Sequence, residues 1–102
     1  MKLVYKNKEI EVTQTHNKEI MKYKFPKLRY AIILYDCNSY SSVGSKQRVD
    51  IVLVDDKFNI VKIRYAMHEN TIQTDTRASH TIILPLDTFD NLEIGTKFSL
   101  KY

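Results

Sequence analysis

Val49-Asp-Ile-Val-Leu-Val54, Asp55-Asp-Lys-Phe-Asn59 and Ile60-Val-Lys-Ile-Arg-Tyr65 are the consecutive stretches that decide the fold class. The first and third are dense in β-branched residues, which pack well on a pleated surface. Between them stand five residues rich in turn formers, the length and chemistry of a hairpin connection. The pattern predicts a β-hairpin over Val49–Tyr65, expected at the centre of the fold with Ile51 and Val61 in the core.

Working outward, the same pattern recurs. Leu28–Tyr35 reads as a strand buried on both faces at its far end, and His80–Leu84 as another, closed by Pro85, which cannot donate to a ladder. Lys97–Tyr102 predicts a final strand. At the start, Leu3–Tyr5 and Ile10–Val12 alternate around a turn at Asn7-Lys8. Thr15 as an approximate N-cap and the stripe Ile20, Met21, Tyr23 predict one short helix near residues 15–23, ending before Pro26. Asp36–Gln47 reads as a serine-rich loop, Met67–Ala78 as irregular, and Leu86–Leu92 as one helical turn. The expected class is mainly β (α+β): a small single-domain barrel or sandwich over residues 1–102.

Composition excludes much. With 102 residues, 43% hydrophobic and 27% charged, the chain matches an ordinary globular domain, without collagen period, heptad repeat or low-complexity tract. No clean apolar run exceeds the length of Ala31–Leu34, far too short for a membrane helix. One cysteine forms no intrachain bridge, and Met1–Tyr5 leads into lysines rather than an apolar leader, so a cytoplasmic protein is expected. The net charge of +4 is concentrated: residues 1–30 hold eight basic groups against three acidic ones. Lys22, Lys24, Lys27 and Arg29 therefore become candidate binding residues.

Catalytic signatures are absent. His68-Glu69 has Ile72 where a zinc-protease motif needs a second histidine, and Ser42–Lys46 lacks a glycine and the residue order of a phosphate loop. Cys37 has no basic neighbour to lower its thiol pKa, and the three histidines are too scattered for a metal site. No enzyme, metal or cofactor is expected. Tyrosines interleaved with lysines, as in Lys22-Tyr-Lys-Phe, fit either base stacking or a small core with hydroxyls at its wet edge.

Residues 37–55 run Cys37-Asn-Ser39-Tyr40-Ser41-Ser42-Val-Gly-Ser-Lys46-Gln-Arg-Val49-Asp50-Ile-Val-Leu-Val-Asp55, and later Arg77-Ala78-Ser-His-Thr-Ile-Ile-Leu84-Pro85. In order and spacing these resemble the bacterial and archaeal family known as domain of unknown function 192, whose loop runs Cys-x-Ser-Ile-His-Thr-Phe-Phe-Met-Lys-x-Pro into a strand. The resemblance implies a compact β-rich barrel and brings no established chemistry. Ser41 stands for the family's His, Val43-Gly44-Ser45 for its Phe-Phe-Met and Arg48 for its Pro, so its loop site is altered here. Ser39, Tyr40, Ser41, Ser42, Lys46 and Asp50 are the candidate binding residues on this stretch. The expected function is a non-enzymatic binding protein, monomeric or weakly dimeric, engaging a protein partner with exposed tyrosines such as Tyr40 as anchors. Alternatives are a nucleic-acid-binding barrel using the basic N-terminal third, and a phage or mobile-element inhibitor of a larger host protein.

Overall fold

The computed structural model describes residues 1–16, 28–41, 48–67 and 72–102. Among these described residues nine strands follow in order: β1 (Lys2–Tyr5), β2 (Lys8–Thr15), β3 (Ala31–Leu34), β4 (Ser39–Ser41), β5 (Asp50–Val54), β6 (Ile60–Arg64), β7 (Ile72–Thr74), β8 (His80–Leu84) and β9 (Ser99–Lys101). Seven form one sheet in the order β6-β5-β8-β3-β2-β1-β9, and β4 pairs with β7 in a separate ribbon. The β class is as the sequence implies.

The apolar runs occupy the middle of the sheet because both its faces are covered. Ile82 on β8 lies between Ile33 and Val52, and Ile83 between Ile32 and Ile51. The first set, with Leu3, Tyr5, Val54, Ile60, Leu84 and Phe98, fills the inner core. There the rings of Tyr5, Phe89 and Phe98 pack with centroids 5.3–5.9 Å apart. The second set forms an outer core with Leu28, Tyr40, Val49, Leu53, Met67 and Ala78. Alternation along each central strand thus feeds two cores rather than one core and solvent.

The sheet curls into a half-barrel. Its two edge regions meet at one corner, where the Ile60 N–H donates to Thr96 O at 2.7 Å, Gly95 N–H to Ile60 O at 2.9 Å and Phe98 N–H to Phe58 O at 3.1 Å. Gly95 makes that approach at φ +90°, a conformation strained for any residue with a Cβ. β2 pairs antiparallel with β1 through its first half and parallel with β3 from Val12 onward. A parallel pair needs a long crossover, which the residues between β2 and β3 supply.

Several expectations are corrected. The hairpin β5–β6 is present, but it closes one end of the sheet, and β3 takes the middle. Val61 is half-buried against the outer core, whereas Ile51 is fully buried. The first turn is Lys6-Asn7, since Tyr5 pairs with Lys8 and Lys6 takes φ 54°. Residues 39–41, read as loop, and 72–74, read as irregular, form the β4–β7 ribbon. Leu86–Leu92 holds turns and bends without a helix. Thr15, read as an N-cap, ends β2 opposite Leu34, and the rest of the expected helix, residues 17–23, lies outside the described residues.

Candidate functional site

Most sequence-predicted residues do not converge. Ser42, Lys46, Lys22, Lys24 and Lys27 lie outside the described residues, and Arg29 is exposed just before β3. Ser39 and Ser41 are half-buried on β4. Tyr40, expected as an exposed anchor, is 2% exposed, because β4 lays its ring against the outer core beside Ile51 and Met67. Cys37 is buried too. Its thiol donates to Ser39 O at 2.9 Å, and its carbonyl accepts the Thr81 hydroxyl at 2.9 Å. Among the described residues no group of three or more His, Cys, Asp and Glu is placed to hold a metal, and no helix is long and apolar enough to cross a membrane.

Asp50 is the exception, though as an organiser rather than a contact. Its carboxylate, 2% exposed at the start of β5, accepts the Ala66 N–H on Oδ1 at 2.8 Å and the Asp87 N–H on Oδ2 at 3.2 Å. Ala66 and Asp87 both take left-handed backbone angles, φ 47° and 61°. Such residues without glycine's freedom persist only where their surroundings fix them. One buried side chain thereby fixes two strained turns, one after β6 and one after β8. Burial pushes the Asp50 carboxyl above the usual aspartate range, its two backbone hydrogen bonds pull the other way, and neighbouring Asp87 adds to the rise.

The loop that starts at Pro85 is pinned further. Tyr65 Oη accepts the Leu92 N–H at 3.1 Å. Tyr5 Oη accepts the Glu93 N–H at 3.2 Å, donates to Asn91 O at 3.3 Å and lies 2.9 Å from Thr96 Oγ1. Side chains from β1, β5 and the end of β6 thus satisfy backbone groups that a loop normally leaves to water. With that backbone held, Leu86, Ile94 and Tyr65 stand out at 45%, 66% and 44% exposure. Apolar residues on a loop fixed by a rigid scaffold are a recognition arrangement.

Beside this rim a cleft of about 160 Å³ opens between the Lys6-Asn7 turn and Phe89–Asn91. Tyr5 and Phe89 line it, and Lys8 Nζ meets Asp90 Oδ1 at 3.3 Å. At the opposite end of the sheet His16, Tyr35, Phe58 and His80 form a ring cluster, with His16 stacked on Tyr35 at 5.3 Å and His80 edge-on to it at 4.9 Å. The Asp36 N–H donates to His80 Nδ1 at 3.1 Å, and Tyr35 Oη donates to Gln14 Oε1.

Sequence reasoning missed the rim. Leu86 and Ile94 are isolated apolar residues among polar ones, and nothing local marks them as exposed. The signal within reach was Asp50, a charged residue opening a strand buried on both faces. The chain matches no family model, no curated protein and no solved structure.

Proposed function

We propose that this protein is a non-enzymatic binding module that engages a protein partner through the pinned loop between β8 and β9. The observation that carries the reading is the exposure of Tyr65, Leu86 and Ile94 on backbone fixed by Asp50, Tyr65 and Tyr5. A surface already ordered binds without a large cost of loop ordering. The described strands β1, β2 and β9 offer no open basic stripe, since Lys2 and Lys101 share Glu9 and Lys8 pairs with Asp90. The burial of Cys37 supports the absence of catalysis there. A cytoplasmic setting and kinship with domain of unknown function 192 belong to this proposal, the latter supported by the order of segments over residues 37–55 and 77–85 alone.

A nucleic-acid partner is the second reading, favoured by the exposed stacking of His16 on Tyr35. A photo-crosslinking residue placed at Leu86 or Ile94, with Lys57 as control, separates the two. A discrete protein adduct from the rim sites alone fits the proposal. Micromolar, salt-sensitive binding of generic DNA or RNA near 150 mM salt, unchanged by Leu86→Ser/Ile94→Ser, overturns it.

A further inference from the structure

We infer that His80 is an acid-sensitive latch on the corner that leads from β3 to β4: its neutral imidazole holds the Asp36 N–H, and the protonated imidazole must release it. The device lies at the opposite end of the sheet from the rim and does not rest on the binding reading above.

Asp36 takes a left-handed backbone angle, φ 55°, without glycine's freedom, so its surroundings must hold it there. Its N–H donates to His80 Nδ1 at 3.1 Å. An imidazole nitrogen that accepts a hydrogen bond carries no proton, which places the ring's one proton on Nε2. In an imidazolium both nitrogens are donors, so the charged ring would turn an N–H toward an N–H. Protonation of His80 and closure of the corner therefore exclude each other. The next residue on β8 works differently: the Thr81 hydroxyl donates to Cys37 O at 2.9 Å, a tie that no proton near neutrality alters. Two consecutive residues of β8 thus hold two consecutive residues of the corner, only one of them through a titratable group. Around His80 stand Tyr35 and Phe58, with ring centroids at 4.9 Å and 5.6 Å, and His16 stacks on Tyr35. The titratable and charged groups on these elements are Asp36, His16, Tyr35, the turn residues Asp55, Asp56 and Lys57 beside Phe58, and Tyr102, which acts electrostatically on Tyr35. Asp55 is engaged by amides of its own turn, and phenols do not ionise in acid. His16 Nε2 lies 3.6 Å from Asp36 Oδ2, with the two side chains 74% and 78% exposed, and a pair so exposed contributes little. Acid strengthens that weak contact and cuts the one at His80. The ring cluster loosens in acid, while Thr81 keeps Cys37, and with it the approach to β4, in place.

Nuclear magnetic resonance on the isotope-labelled full chain tests the latch. A nitrogen–nitrogen coupling across the hydrogen bond from the Asp36 amide to His80 Nδ1 is expected at about pH 8, with the ring protonated on Nε2, and should vanish as His80 titrates toward about pH 5. Opening of the Asp36 amide, read from hydrogen exchange corrected for its intrinsic rate, should rise about tenfold per pH unit below the ring's midpoint, because one proton binds the open form only. The Tyr35 amide, which donates to Thr15 O at 2.9 Å, should show no such slope. His80→Asn sets a non-titrating oxygen where Nδ1 stands and should keep Asp36 protected at both ends of the range. His80→Phe keeps a ring without an acceptor and should leave that amide open even at about pH 8. His16→Asn should leave the slope intact. The coupling and the tautomer are read on the native chain, so they decide the matter even where a variant fails to fold. A ring protonated on Nδ1 at neutral pH, a coupling that survives the titration of His80, or a slope that persists in His80→Asn each overturns the latch. A slope abolished by His16→Asn overturns it too, and moves the switch to His16.

Discussion

The Asp50 carboxylate receives the Ala66 N–H at 2.8 Å, and with its other oxygen it holds the Asp87 turn against the same strand. A buried acceptor serving two strained turns is expensive to remove, because each amide left behind loses its only replacement for water. Asp50→Ala should cost about 1–3 kcal/mol for each orphaned amide. Asp50→Asn keeps one acceptor and should cost less. Chemical denaturation of both variants measures the order, and equal costs would show that only one of the two bonds matters.

Asp50 also sets a pH dependence. Its folded pKa is raised above the ordinary value of 3.8 by burial, so the folded chain holds that proton more tightly than the unfolded one. Its contribution is therefore full below the unfolded pKa and is lost as pH rises through the folded one. Compared with Asp50→Asn, which does not titrate, the native protein should gain stability on acidification across that window. A relative loss on acidification would contradict the assignment.

Asp75 shifts the other way. Arg77 grips it through Nε at 3.0 Å and NH2 at 2.7 Å, and its own backbone N–H adds a third bond, holding the carboxyl down to about 2. Any stabilisation from this pair is present above the ordinary carboxylate range and disappears as pH falls through about 2. Carboxyl NMR titration should report that value, with Arg77→Gln returning it toward 3.8. An unchanged midpoint in the variant would exclude Arg77 as the cause.

Ile51 and Val61 separate core from edge. Ile51→Ala should cost about 2–5 kcal/mol, since the side chain is fully buried opposite Ile83. Val61→Ala, half-buried on the edge strand β6, should cost clearly less. Matching losses in denaturation would place both in the core.

Cys37 should resist thiol reagents at neutral pH, because it is 3% exposed and donates to Ser39 O. Labelling should be slower than for a free cysteine and become complete in denaturant. Labelling faster than that reference would reveal an activated thiol.

How far the sequence shows all this depends on the physics of each part. β3, β5 and β8 are legible because strands covered on both faces spell continuous apolar runs, and His80–Leu84 is found to the residue. Their order is not legible, since a run such as Ile-Ile-Leu fits any neighbour equally well, and β2 reaches β3 across a long crossover. Ser39–Ser41 and Gln73–Thr74 carry no periodic signal, so the β4–β7 ribbon appears only once Tyr40 is seen to need a core. Exposed tyrosine and buried tyrosine look alike in a list of letters. For the same reason the rim escaped: what makes Leu86 and Ile94 stand out is the anchoring of their backbone by Asp50, Tyr65 and Tyr5, contacts that span most of the chain.

β1 takes β9 as its outer neighbour, with Lys2 opposite Lys101, and the corner that joins the sheet's ends uses Thr96 and Phe98. A ribosome therefore makes the first strand long before the partner that shields it. Until residues 96–101 emerge, Leu3 and Tyr5 lack Phe98, and the outer margin of β1 stands unpaired. A transcript cut short just before those codons yields a product that fails at both margins together, open to proteases and to stray strand pairing. Closure of the sheet waits on this one stretch, which supplies both the outer neighbour of β1 and the contacts of the corner.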